Sequence, residues 1–404
     1  MIEVRDVQTL DGKTTNYFIE SVIHRTIDAK GLTLLPALID PHVHFRIPGA
    51  EHKEDWRTAA KAAIRGGVTT VFDMPNNTPS CITKERLEEK MKLIDSQLFD
   101  AKIPLRYRLY LGADRSHLNE IGKTKREIIG LKIYMGSSTG DLLMDDKASL
   151  ERAFEIAKKE DVLVAIHAED EEMIQKLKKK HEGKTDPALH SVIRPPIAAA
   201  RAVEQAISLV QKYHTRLYIA HMSTKGELDL VRAAKKQKLP VFAEATPHHL
   251  FLDDRLYGKI GASALVNPPL RSQREREALW EAVHDGTIDT IGTDHAPHTL
   301  EEKKRPFGSA PSGFPSIELY LALLLNAYHE KKISLEKIVS LTHTNPQEIF
   351  RLKPNSDVVL IDLNKIKRID NPSLATKAKW SPYEGWTLKG WPRYTICQGQ
   401  VFDI

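Results

Sequence analysis

Residues 161–169 read DVLVAIHAE. Apolar β-prone residues follow one another without polar alternation, and the run stops at His167. A strand with one face in water would alternate. A continuous run marks a strand covered on both faces, as in a parallel sheet flanked by helices. The same grammar recurs in RLYIAHMS (216–223), which closes on His221, and in TIDTIGTD (287–294), which closes on Asp294. It recurs again in LTLLPALID (32–40), VTTVFDMP (68–75), PLRYRLYLGA (104–113), IIGLKIYMG (128–136) and PVFAEATP (240–247). Between these runs apolar residues return at three- and four-residue spacing, in KEDWRTAAKAAIRGG (53–67), ASLERAFEIAKKE (148–160), PPIAAARAVEQAISLVQKYH (195–214), KGELDLVRAAKKQK (225–238) and SQREREALWEAVHDG (272–286). That spacing predicts helices. Only the stretch after the third run, about 115–125, is weakly helical. Eight strand–helix alternations over ~250 residues predict an α/β (β/α)8 TIM barrel.

The ends read differently. Residues 1–35 and 355–404 are short strands and turns, too few on either side for a core of their own. They are expected to pair into one composite small β domain, a β-sandwich, beside a barrel domain over 36–354. Helical segments at 316–331 and 334–350 connect the two. The basic run KLKKKHEGK (176–184) follows acidic EDEE and reads as a solvated helix end. EEKKRPFGSAPSGFPS (301–316), rich in Pro, Gly and Ser, follows the last strand, where a mobile loop can cover a site.

With 41% hydrophobic and 28% charged residues, the 404-residue chain can bury a sizeable core, which excludes disorder. Two cysteines, Cys81 and Cys397, cannot staple a disulfide scaffold, and a cytoplasmic location is expected. No apolar run reaches the ~18 residues of a membrane helix. The opening MIEVRDVQTL lacks the pattern of a signal peptide. A net charge of +5 on 59 basic and 54 acidic residues does not argue for nucleic acid.

Chemistry in such a barrel belongs at the C-terminal strand ends. The first strand ends in DPHVHFR, where His42, His44 and Arg46 share parity and point one way. An isolated HxH pair is a modest signal, and a lone His167, His221 or Asp294 is more often a satisfied core or capping residue. Four imidazoles and a carboxylate at one rim are a different matter. They suit Zn2+ or another divalent first-row ion. Four histidines exceed what one catalytic ion with an open position takes. Two ions fit better, one on His42 and His44 and one on His167 and His221. Two neighbouring ions need an anionic bridge. The candidate is Lys132, set inside an apolar run. It can be a Schiff-base lysine, a structural lysine pointing outward, or an amine that has taken up CO2 as a bridging carbamate. Charge counting favours the carbamate. Asp145 and Asp146 are reserve bridging candidates. His248 and His249 read as loop-positioning residues, and His295 is set aside for its opposite parity.

PHVHFR, GLKIYMG, IHAED, AHMST and TDHAPH together resemble the cyclic amidohydrolases of the amidohydrolase superfamily, most of all the dihydroorotase branch. GAEHKEDW (49–56), MPNNTP (74–79), PHHLFL (247–252), VNPPLRSQ (266–273) and SPYEGWTLKGWP (381–392) carry the likeness along nearly the whole chain. The resemblance implies reversible cyclisation of N-carbamoyl-L-aspartate to L-dihydroorotate in pyrimidine synthesis. It implies two Zn2+ per chain, with Asp294 joining His42 and His44 on the first, His167 and His221 on the second, and a CO2-derived carbamate on Lys132 between them. Asp294 would also be the catalytic base and acid. Arg46, Asn76, Asn267 and His298 would hold the substrate. The implied partner is a small molecule, with neither nucleic acid nor membrane. A homodimer and an association with aspartate transcarbamoylase are the protein partnerships the likeness suggests. Allantoinases and hydantoinases or dihydropyrimidinases share the metal set, but their substrates lack the carboxylate that Arg46 and Asn76 would bind. Non-catalytic scaffold relatives have lost ligands that this chain keeps.

Overall fold

The computed structural model describes residues 1–136 and 142–404. Eight strands form one parallel sheet in chain order: Leu38–Val43, Val68–Asp73, Arg106–Gly112, Ile128–Tyr134, Val164–His167, Leu217–Ile219, Val241–Ala245 and Thr290–Ile291. The chain then returns to the first strand. Val43 bridges His295 in parallel, and His44 N–H donates to the His295 carbonyl at 2.8 Å. Asp40, wholly buried at this seam, accepts from Thr293 N–H at 2.9 Å and His42 N–H at 3.2 Å. A carboxylate thus closes the barrel where regular pairing runs out.

Helices cover the outside, with small and aliphatic faces turned inward, as in Trp56–Arg65 (Ala59, Ala60 and Ala63 buried) and Pro196–Tyr213 (Ala199, Val203, Ala206 and Val210 buried). Several begin where the sequence offers an oxygen to the free N–H groups of the first turn. Asp55, Thr83, Asp146 and Thr224 accept from Thr58, Arg86, Ser149 and Glu227 respectively. The weakly helical third crossover holds only the short helix Glu120–Thr124. Glu171–Lys180 carries acidic residues in its first turn and Lys178–Lys180 in its last, the arrangement that complements the helix dipole.

The run LTLLPALID, expected as one strand, is two. Thr33–Pro36 pairs antiparallel with Val358–Ile361, while Leu38–Val43 enters the barrel. Pro36 has no N–H with which to continue a ladder, so the chain changes sheets there. Thr33–Pro36 belongs to a seven-stranded sheet with Ile2–Gln8, Thr14–Ile19, Arg25–Asp28, Val358–Arg368, Thr387–Cys397 and Gln400–Asp403. Strand periodicity lets one segment serve two cores. Val358 and Leu360 pack with Ile2, Val4 and Ile396, while Val359 and Ile361 join the main barrel core. Among the described residues no helix is long and apolar enough to cross a membrane, and both cysteines are buried free thiols.

Candidate active site

A cavity of about 210 Å3 opens at the C-terminal rim of the barrel, lined by His42, His44, Arg46, Asn76, Lys132, Tyr134, His167, His221, Asn267, Asp294 and His298 among others. Every side chain singled out from the sequence as a site residue faces this one space. Larger clefts of about 480 and 670 Å3 lie near Trp280 and near Tyr107. Among the described residues the only group placed to hold a metal ion is His42, His44 and Asp294, whose ligand atoms lie within 4.8 Å of one another.

The backbone aims these groups by leaving the strand conformation. Arg46, His221 and Asp294 take positive φ of 69°, 42° and 46°. L-residues adopt that region at an energetic cost, and it clusters where a surrounding structure holds functional groups. The Nε2 atoms of His42 and His44 converge on Asp294 Oδ1 at 3.2 and 3.1 Å. Their other nitrogens are engaged from behind. His42 Nδ1 donates to Glu244 Oε1 at 2.8 Å, and His44 Nδ1 donates to Asn76 Oδ1 at 2.7 Å. Those bonds fix the tautomer that leaves Nε2 a free lone pair, the arrangement of metal-ligating histidine. His167 Nε2 donates to Glu169 at 2.8 Å and turns Nδ1 to within 2.9 Å of His221 Nε2. The ring centroids of His42 and His221 are 5.3 Å apart, so the two imidazole pairs adjoin.

Burial is the first cause that lowers the pKa of His44, His167 and His221, and all three stay neutral at pH 7. Burial alone would raise Asp294, but His42 and His44 beside it hold its carboxyl well below the usual range. The donor set is four imidazoles, three of them held neutral by burial, and one carboxylate, which suits a borderline-soft divalent cation.

Lys132 is wholly buried, and its Nζ has no hydrogen-bond partner among the described residues. Burial pulls its pKa down to about 8, against the opposing pull of Glu244 and Asp294. A buried amine without a partner, deprotonated in an appreciable fraction at neutral pH, has the nucleophilic lone pair that carbamate formation requires. Asp145 and Asp146 lie elsewhere. Both pair with Arg115, and Asp146 caps the helix Lys147–Lys159.

In the same cavity, Arg46 Nε donates to the Pro297 carbonyl at 3.0 Å, with Nη2 3.1 Å from His298 Nε2. His298 Nδ1 lies 3.1 Å from Lys53 Nζ, and its Nε2 lies 3.1 Å from the Ser312 carbonyl. The 301–316 segment is part of this wall. Pro311, Ser312 and Gly313 line the cavity, and buried Lys303 ties the segment down through the carbonyls of Leu265 and Pro311. His249 bridges Thr246 and the Pro268 carbonyl, and His295 accepts from Ser316 N–H. Both act as local braces.

Several site groups escaped the sequence reading. Glu244 holds His42 and also accepts from His221 N–H at 2.9 Å and Tyr218 at 2.7 Å. Gly292 sits against it, where a Cβ would collide with the Glu244 carboxylate and press on His42. Glu169 takes Arg194 at 2.6 Å besides His167, and His190 Nε2 lies 2.9 Å from Asn267 Oδ1. A glutamate inside VFAEATP is the one sequence signal that marks any of these.

The model of the Amidohydrolase family matches residues 33–402. The chain belongs to the amidohydrolase family. This amidohydrolase is 36% identical over 402 residues to a protein named dihydroorotase from Pyrococcus furiosus, covering 97% of this chain and 87% of that one. It is 34% identical over 419 residues to a dihydroorotase from Halobacterium salinarum, covering 98% and 95%. Among solved structures it resembles the L-hydantoinase (dihydropyrimidinase) of Arthrobacter aurescens, with a TM-score of 0.92 at 25% identity over 99% of this chain and 95% of that one.

Proposed function

We propose that this amidohydrolase is a dihydroorotase, opening L-dihydroorotate with water to N-carbamoyl-L-aspartate and closing it in the reverse direction. The observation that carries the reading is the placement of Arg46, Asn76 and His298 around the same cavity as the histidine and Asp294 cluster. A guanidinium there matches a ring that bears a carboxylate beside the amide to be cleaved. The relatives named dihydroorotase support the same substrate.

His42, His44 and Asp294 would hold one zinc ion and His167 and His221 a second, with Lys132 as a carbamate completing the donor set. When bound, the ions would supply a water acidic enough to lose its proton near pH 7 and would polarise the amide carbonyl. The chain's own groups do the rest. Arg46 and Asn76 orient the ring through its carboxylate, and Asn267 and His298 line the ring's other edge. Asp294 takes the proton of the attacking water and returns it to the ring nitrogen as the C–N bond breaks. The cyclisation runs these transfers backwards. The division of labour puts this chemistry in residues 36–354, with 1–35 and 355–404 as a supporting unit. As a step in pyrimidine precursor synthesis it belongs in the cytoplasm.

The hydantoinase structure supports a second reading, a hydrolase of rings without a carboxylate. Turnover of dihydroorotate, hydantoin and allantoin, measured beside metal content, separates the two. Dihydroorotate is expected to be preferred by more than about 100-fold in kcat/KM, because the other rings cannot form the charge-assisted hydrogen bonds to Arg46. A preference for hydantoin would sink the assignment.

A further inference from the structure

We infer that the Tyr134 hydroxyl is a third hydrogen-bond donor, beside Arg46 and Asn76, to the carboxylate of the bound substrate. This deepens the function proposed above and rests on it. Tyr134 ends the fourth barrel strand two residues beyond Lys132, so strand alternation turns both side chains to the same side. It lines the cavity, is 6% exposed, and its hydroxyl finds no hydrogen-bond partner among the described residues. A hydroxyl that has given up bulk water without gaining a protein partner is available to whatever enters the cavity.

The ring cannot swing away to find a partner. Ile82 and Leu142 pack against it, its centroid lies 6.2 Å from that of His167, and its backbone carbonyl accepts Met144 N–H at 2.8 Å. Tyr134 shares the lining of this cavity with Arg46 and Asn76. Arg46 and Tyr134 lie close enough to influence each other electrostatically. A phenol adds a donor without adding a charge. It can strengthen the hold on a carboxylate while leaving the charge balance around Asp294 as it is.

Tyr134→Phe keeps the ring and removes only the oxygen. In the zinc-loaded full-length enzyme, KM for dihydroorotate is expected to rise roughly 10- to 100-fold while kcat changes less than about threefold. That is the signature of an interaction made equally in the ground and transition states. Zinc content and Tm should match the parent. A merely structural tyrosine would instead lower Tm or zinc content and leave KM alone, and either result would overturn the role. A parent enzyme inactive on dihydroorotate overturns both the function and this role. An active parent whose KM the substitution leaves unchanged overturns the tyrosine alone.

Discussion

Lys132 and Arg46 are both basic and both line one cavity, yet their surroundings give them opposite tasks. Among the described residues Lys132 has no counter-ion in contact and no hydrogen bond, and burial depresses its pKa to about 8. Arg46 is spread over the Pro297 carbonyl and His298, and a guanidinium stays charged even when burial lowers its pKa. If Lys132 bridges two zinc ions as proposed, Lys132→Ala should lose at least one zinc per chain and more than roughly 100-fold in kcat, with partial recovery on adding short carboxylic acids that would stand in for the carbamate. Atomic absorption and steady-state rates check it, and full activity in the variant would exclude a bridging role. Arg46→Met should keep its zinc and raise KM for dihydroorotate by about 100-fold or more, since the substitution would remove the charged hydrogen bond proposed to hold the substrate carboxylate. An unchanged KM would remove Arg46 from the substrate site.

At the scale of elements, the rim is held from behind by buried polar groups. Lys90, on the helix Lys84–Ala101, is 1% exposed and pairs with wholly buried Asp73 at 2.6 Å. Its Nζ also donates to the Met74 carbonyl and to Asn77 Oδ1, and Asn77 in turn donates to the Ile47 carbonyl. Asp73 accepts Phe45 N–H at 2.7 Å. This network ties the end of the first strand, which carries His44 and Arg46, to the loop that carries Asn76. Lys90→Met leaves Asp73 charged and unpaired, so it is expected to destabilise the fold by about 3–5 kcal/mol. Denaturant melts read the loss as a lower midpoint at unchanged slope. A loss below about 1 kcal/mol would mean that the pair contributes little.

At the scale of the whole molecule, buried neutral histidines set an acid limit. Burial first, then Arg194, brings His190 down to about 3. Burial brings His249 down to about 4. Unfolded histidine titrates near 6.5, so between that value and the folded pKa the unfolded chain binds more protons. Stability is then fully present above about pH 6.5 and declines as pH falls toward 4. At pH 5.5 each of these histidines accounts for roughly 1–2 kcal/mol of loss. Urea unfolding at pH 7.5 and 5.5 should show that decline, and His190→Gln should shrink the difference by about that amount. Equal pH dependence in variant and parent would refute the assignment to His190.

What the chain determines by itself is whatever neighbours along it can encode. Runs such as DVLVAIHAE and RLYIAHMS specify buried parallel strands, and strand parity turns His42, His44 and Arg46 to one side. Each strand end then delivers its polar residue to one rim, because parallel strands all point the same way. The change of sheets at Pro36 lay within reach of the same reading, since a residue without an N–H interrupts a ladder. Other facts required the folded molecule. Glu244 lies 202 positions from the His42 it orients, and Lys90 reaches Asp73 from a crossover helix. The unpaired state of Lys132 and Tyr134 is a property of everything packed around them. Periodicity is a local statement about which face an amino acid takes. A hydrogen bond, a missing partner or a shifted pKa depends on groups that only three-dimensional packing brings into range.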